Sequence, residues 1–595
     1  MFLRKMRRRK DGKVHTYWAL VESVRTARGP RQRVVAHLGE LSPGRRVGFQ
    51  RLGQELEGRD GAGQLVLYGD NPLPEWVRVD ASRVAVERVL SFGAVWLLWE
   101  EWRLLGLGDF FRLQLRVGKE QIGWGDLLAY RVVAQVAAPS SELAVVERFV
   151  GSTALADLLG IDEERIDDNR LLRLLDQVLP LRLALGAHLK QRYGELFRED
   201  FELLLYDMTS TFFEGECEKN PQAERGYSRD HRPDCKQVTL ALVMSPRGLP
   251  LFYEVFDGSR ADVTTVEEVV EAMEQRYGKA QRIWVMDRGM VSEANLEWLR
   301  QRGAQYLVGT PKGMLRKFEK PLLEKDWREV EAGIEVKLCA LADGSSTDTF
   351  ILCRSRARIE KEKAILERFL VRVEAGLAKI AQALEQGTLK DSGKAERRIG
   401  RLLGKNTRAE RHFEVEMKST EAGPRLTWQR RTVQDQWAQH SQGCYLLRTN
   451  LTGHSPEQLW KTYIQLTQVE AAFRVTKNEL GLRPVGHQKQ DRVQAHIFIC
   501  FLGLVVWKSM ELRLAEHGLG NSPRKVLEEF AKWTSMDVLL PTDTGHQLRL
   551  RLISQPDQAL GILLREMSLK APKRFRPQPD RFYHQNSQNV VETSA

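Results

Sequence analysis

The sequence predicts an α/β protein whose layered core is split by a mixed β/helical insertion and preceded by a helical region and a basic hairpin. Three observations lead there. The hydrophobic period changes from helical to strand-like at Phe201; three strand-like runs are then followed by alternating helical and strand-like segments; and the strand style resumes at GCYLLRTN after residues 311–442.

With 595 residues the chain exceeds the size at which one core stops growing, so several domains are expected. At 42% hydrophobic and 29% charged, its composition carries none of the bias of disorder. The net charge of +12 suits a polyanionic partner. The excess is concentrated at the start, in Arg4, Lys5, Arg7, Arg8, Arg9 and Lys10, where the plain alternative is a solvated basic arm. Six dispersed cysteines without a Cys-x-x-Cys pair indicate neither a zinc knuckle nor a disulfide framework, and fit a reducing, cytoplasmic setting. No signal peptide is visible. The longest apolar stretch, IFICFLGLVVW, is only eleven residues and is expected to be a buried core helix, so no membrane partner is expected.

In chain order, residues 1–45 alternate in strand fashion around Gly29 and Pro30 and are expected to form a basic β-hairpin module. Residues 80–198 are helical in period, through VERVLSFGAVWLLWEEWRLLGL and LLRLLDQVLPLRLALGAHLKQRYGELF, and are assigned as a helical DNA-binding region. In the core's first part, residues 199–310, FELLLYD, KQVTLALVM and GLPLFYEVF read as strands, DVTTVEEVVEAMEQRYG as a helix, RIWVMD as a strand, SEANLEWLRQRG as a helix and AQYLVGT as a strand. That order is the one found in ribonuclease H-like domains. Residues 311–442 form the insertion, in which Leu366, Leu370, Val373, Leu377, Ile380 and Leu384 mark a long amphipathic helix that doubles back through GTLKDSGK. Its seam is expected to pack within the chain. Residues 443–515 complete the core, and residues 516–595 are a C-terminal region with a disordered tail.

Asp207 ends the apolar run FELLLY and Asp287 ends RIWVM, so both carboxylates are expected beyond the carboxyl ends of buried strands, where a hard cation could be held. The bland alternative for each is a cap on the next turn. Glu470 lies in WKTYIQLTQVEAAFRVTKNEL, where Val469, Ala472, Phe473 and Thr476 cover one side of a helix. Tyr463, Leu466, Glu470, Arg474 and Lys477 form a different stripe at 100° per residue. A solvent-exposed helix with Glu-to-Arg support is the alternative there. Asp262, in GSRADVTT, is read as the N-cap of the following helix, while His231 and His496 are assigned to DNA contact or structural hydrogen bonds in preference to metal ligation.

The segments YDMTSTFFEG, GYSRDHRPDCKQVTLAL, GLPLFYEVFDGSRADVTT, VMDRGMVSEANL and YIQLTQVEAAFRVTKNELGLRPVGHQKQDRVQAH resemble insertion-sequence transposases of the IS4 superfamily, nearest to the IS1634-like group. The resemblance spans nearly the whole chain. It implies a DDE triad of Asp207, Asp287 and Glu470 that binds Mg²⁺ or Mn²⁺, as two ions, and cuts and joins DNA. Carboxylates without histidine suit those ions better than zinc. The implied partners are double-stranded DNA, as terminal inverted repeats and target, and a second copy of the chain in a synaptic homodimer. The implied setting is the bacterial cytoplasm, at the nucleoid when bound to DNA. The family's Tyr-x2-Arg-x3-Glu-x6-Lys signature falls on Tyr463, Leu466, Glu470 and Lys477, so leucine stands where an arginine would grip phosphate. Arg474, one turn beyond Glu470, is expected to take over that contact with Lys477. Tyr463, Arg288, His231 and Arg232 complete the candidate DNA contacts. A catalytically silent DNA-binding derivative and a ribonuclease H-like nuclease without strand transfer are the alternative functions.

Overall fold

The computed structural model describes residues 2–10, 13–26, 29–39, 78–115, 122–278, 282–341, 347–420, 423–542 and 547–572. The chain divides into two compact units, one of residues 1–102, 117–171 and 513–595, the other of residues 103–116 and 172–512.

The first unit opens with three antiparallel strands, β1 (Phe2–Lys10), β2 (Lys13–Thr26) and β3 (Gly29–Gly39), in the order β1-β2-β3. The basic run is thus the backbone of a strand, paired residue by residue with β2 from Phe2↔Val21 to Lys10↔Lys13, and not a free arm. Arg4 bonds Gln32 across the sheet at 2.9 Å, and the Lys5 ammonium lies 6.0 Å from the Trp18 ring. The next strand, β4 (Ala85–Ser91), corrects the helical reading of VERVLS. Seven residues are too few for periodicity to tell a helix from a strand, and β4 finds its partner in a C-terminal strand far along the chain. Helices such as Gly93–Leu104 and Trp124–Ala137 follow as expected.

The second unit is built on a nine-stranded mixed sheet. Its strands are β5 (Leu203–Phe212), β6 (Gln237–Met244), β7 (Pro250–Asp257), β8 (Ile283–Met286), β9 (Gln305–Gly309), β10 (Arg328–Glu331), β11 (Ile334–Cys339) and β12 (Thr349–Ser355), with β15 (Cys444–Thr449) following the insertion hairpin β13 (Phe413–Thr420) and β14 (Gly423–Arg430). The order is β10-β11-β12-β15-β9-β8-β5-β6-β7. Strands β5, β6 and β7 form an antiparallel meander, and β8 and β9 add in parallel on the other side of β5. Every residue of β6 is buried, which is why VTLALVM reads as continuous apolar chain rather than as alternation.

The insertion departs from the expected separate domain. After β9 the chain returns as β10, β11 and β12, which extend the core sheet through β15. The described residues of 356–442 add no strand to that sheet; they form a 30-residue helix Arg356–Glu385, a returning helix Ser392–Gly404, the β13–β14 hairpin and the helix Thr432–Ser441, whose Trp437 packs on the core cluster of Phe350 and Leu446. Leu370, Val373, Leu377, Ile380 and Leu384 bury against Ala395, Ile399, Phe413 and Leu426, so the heptad-like seam packs inside its own chain.

The helix Gln490–Glu516 carries IFICFLGLVVW, every residue of which is buried, as expected of a core helix; among the described residues no helix is long and apolar enough to cross a membrane. In the first unit, β16 (Thr534–Pro541) pairs with both β4 and β17 (Gln547–Ile553), and Arg551 bonds Asp537 and Asp157. The disordered-tail expectation concerns residues 573–595, which lie outside the described residues.

Candidate active site

Asp207 does not end its strand. β5 runs on for five residues beyond it, to Phe212, and Asp207 is a half-buried position between buried neighbours. Polar residues Thr209, Ser210 and Thr211 continue the strand because β6 pairs with it throughout, from Leu205↔Met244 to Phe212↔Gln237. Asp287 does stand just past β8, in extended conformation (φ −75°, ψ 164°). The parallel register ends at Tyr206↔Met286, one residue before each acid, and Asp287 is near enough to Asp207 for its charge to raise the Asp207 carboxyl.

On the other flank of Asp287 the register Met286↔Val308 continues to Gly309. A Cβ on Gly309 would lie 2.6 Å from the Tyr463 hydroxyl, so glycine leaves the space that hydroxyl fills. Tyr463 Oη then reaches Asp287 Oδ1 in a long contact of 3.5 Å. Burial, with Asp287 adding to it, raises the phenol above its ordinary range and keeps it a donor. Its helix, Pro456–Ile464, starts on a Ser455–Gln458 capping box and is anchored by Trp460 Nε1 donating to Tyr445 Oη at 2.8 Å.

Glu470 sits in the first turn of a separate helix, Thr467–Asn478, that packs on β5 and β6. Its buried face is Val469, Ala472, Phe473 and Thr476, the set read from the sequence, and Glu470 is exposed. The end of this segment is tied to the end of β5: Thr211 Oγ1 donates to Leu482 O at 3.2 Å and Val485 N to Phe212 O at 3.0 Å.

The single stripe through Tyr463 and Lys477 does not survive. The chain breaks from one helix to the next at Gln465 and Leu466, and Leu466 is buried while Glu470 and Arg474 are exposed. An apolar side chain at the junction is drawn into the core. Lys477 is corrected too: its ammonium is 2.8 Å from Asp230, which also takes Arg483, so it is held in a part-buried ion pair. Burial is the larger influence on Lys477 and lowers its pKa, partly offset by Asp230.

Arg288 is exposed beside Asp287, and His231 is exposed at φ 57°. Arg232 is engaged within the protein, bonding Asp234 at 2.9 Å and lying 4.9 Å from the Phe212 ring. His496 is buried, with its ring nitrogen 3.7 Å from Cys500 Sγ, a structural placement. Asp262 is not the cap of the following helix, whose N-cap is Thr265; its carboxylate instead takes the Arg229 guanidinium. An ion pair outcompetes the cap.

Arg229 is the residue that sequence reasoning missed. It lies in SRDHRPD, its N–H donates to Ser210 Oγ on β5 at 3.2 Å, and its charge bears on Asp207. The signal was present in the pairing of two polar motifs, SRDHRPD and GSRAD, but nothing local shows that they meet. Burial pushes the Asp207 carboxyl up, the Met208 N–H at 2.7 Å opposes this, and Asp287 and Glu470 raise it while Arg229 lowers it, to a result of about 7. Among the described residues, no three His, Cys, Asp or Glu side chains are gathered closely enough to hold one ion. The donor chemistry nonetheless fits a hard cation. Two carboxylates share neighbouring strands, and their mutual repulsion, with that of Glu470, is the kind a divalent ion relieves.

Fold and site together define a mixed α/β protein with an acidic centre on its main sheet. A family model described as transposase DDE domain matches residues 202–506, which is more than half of the chain and contains all three acids. A second, the N-terminal domain of the IS1634 family transposases, matches residues 3–64. The chain belongs to the DDE transposases, of the IS1634 type. Among solved structures, the piggyBac transposase synaptic complex with hairpin DNA, determined by cryo-EM, is similar with a TM-score of 0.35 at 10% identity, covering 76% of this chain and 82% of that one. No curated protein matches.

Proposed function

We propose that this transposase binds the ends of an insertion sequence as a homodimer and both cleaves and joins DNA strands at Asp207, Asp287 and Glu470. The observation that carries the reading is the parallel pairing that ends one residue before both Asp207 and Asp287, with the Glu470 helix packed on β5. The β7-β6-β5-β8-β9 order, three antiparallel strands and two parallel additions, supports a ribonuclease H-like core.

The three carboxylates would hold Mg²⁺ or Mn²⁺, as two ions, which when bound supply Lewis-acid stabilisation of charge on attacking and leaving oxygens. Tyr463 steadies Asp287, and Arg229 moderates the charge around Asp207. Arg474, exposed one turn past Glu470, is free to face a phosphate, and Arg288 is exposed beside Asp287. Both would position DNA rather than take part in bond making.

Asp207→Ala, Asp287→Ala and Glu470→Ala should each abolish nicking while leaving DNA binding largely intact, because affinity comes mainly from phosphate contacts elsewhere. Nicking and gel shift are measured together on duplexes carrying the inverted repeats that flank the source gene. Substantial Mg²⁺-dependent nicking by any of the three refutes the assignment. Joined products from the parent separate a transposase from a nuclease that only cuts.

A further inference from the structure

Between Lys390 and Arg411 eight basic side chains stand against three acidic ones. Most of this excess lies on the returning helix of the insertion, Ser392–Gly404, whose Ala395 and Ile399 bury against the long helix. At 100° per residue, Lys394, Arg397, Arg398 and Arg401 fall within about 50° of one line, on the side turned away from those two buried residues. All four are exposed. Among the described residues none of the four has an ion pair with an acid, whereas Arg229, Arg232 and Lys477 around the acidic centre are each held by a carboxylate. Arg397 Nε donates to Gly393 O at 3.1 Å, which fixes its stem along the helix. Lys405 and Arg408 continue the exposed basic surface just past the helix end.

We infer that this face of Ser392–Gly404 is a second DNA contact, gripping the phosphate backbone of a duplex without reading its sequence. The inference rests on the transposase reading. Four cations spread over eight residues occupy about 10 Å of helix axis, and one strand of a duplex presents a phosphate about every 3.4 Å along its own axis, so charge and spacing match about three phosphates. Arginine, three of the four, suits bidentate phosphate contact.

The test uses the full chain carrying Arg397→Gln, Arg398→Gln and Arg401→Gln together, with Lys317→Gln, Lys320→Gln and Lys325→Gln as an equal change of charge at other exposed positions. Binding of a random-sequence duplex is followed by fluorescence anisotropy through a salt series, with circular dichroism confirming the fold. The arginine variant should lose about 0.9 of salt slope per phosphate released, or about 2 to 3 in all, and at least about tenfold in affinity near 0.1 M salt. The lysine variant should keep the parent's slope. Equal losses in the two variants overturn the inference, because they report net charge alone. An unchanged slope in the arginine variant also overturns it, as does a change in self-association by sedimentation without loss of DNA affinity. If the parent binds no duplex, the transposase reading itself fails.

Discussion

Without divalent cation, Asp207→Asn should stabilise the core, and more so as the pH rises. The Asp207 carboxyl is pushed up to about 7 from the ordinary 3.8, chiefly by burial. Such an acid holds its proton more tightly when folded than when unfolded. Below about pH 4 both states are protonated and there is no penalty; from there to about 7 the folded state is progressively disfavoured; above that the penalty is full and constant. At about 1.4 kcal/mol per pH unit the full penalty is about 4 kcal/mol, more than half of which accrues between pH 5 and 7. Asparagine keeps an oxygen for the Met208 N–H, now 2.7 Å away, and removes the charge. Urea unfolding in EDTA, with hydrogen exchange of the β5 and β8 amides as the local reading, should show the variant's advantage growing by about 2 to 3 kcal/mol from pH 5 to pH 8. Adding Mg²⁺ should stabilise the parent and narrow the gap. An advantage that is the same at both pH values, or larger at pH 5, refutes the electrostatic account of the site.

The remaining predictions concern the groups around that centre. Leu466→Ala should cost about 2 to 5 kcal/mol of stability, as buried leucines do, and affect cleavage only through folding, whereas Arg474→Ala should leave the melting temperature unchanged and slow single-turnover cleavage about tenfold or more. Equal cleavage by parent and Arg474→Ala would remove that arginine from the site. Gly309→Ala places a Cβ 2.6 Å from the Tyr463 hydroxyl and should depress cleavage, and adding Tyr463→Phe should recover part of it; a double variant no better than the single one would show that the hydroxyl is not what the Cβ meets. Deleting residues 1–45, which remove the β1–β3 sheet and its basic strand, should weaken end binding and flatten its salt dependence, and an unchanged slope would leave that sheet a cover for the rest of the chain.

The acids on strands were legible because burial leaves a simple trace: a carboxylate directly after LLLY or IWVM interrupts an apolar run wherever the sheet's edge or cleft begins. Even so, Asp207 reads as a strand end only because Thr209, Ser210 and Thr211 look polar enough to be a turn, when pairing with β6 keeps them extended. The buried face of the Glu470 helix was legible for the same reason, since Val469, Ala472, Phe473 and Thr476 repeat at helical spacing. The break at Gln465 and Leu466 was not, because both residues are compatible with a helix and only the docking of two helices on different parts of the sheet separates them. Leu466 at that junction is buried, Lys477 stays on the Glu470 side of the helix Thr467–Asn478 but is tied to Asp230, and Arg474 is the exposed cation one turn from Glu470. The arginine that the family signature places at position 466 would therefore have to leave the core to reach a phosphate here, and a leucine is the residue type such a buried junction favours. Leu466→Arg consequently should not restore a missing phosphate contact; it should destabilise the chain by burying an unpaired charge, and a melting temperature equal to the parent's with faster cleavage would overturn that placement.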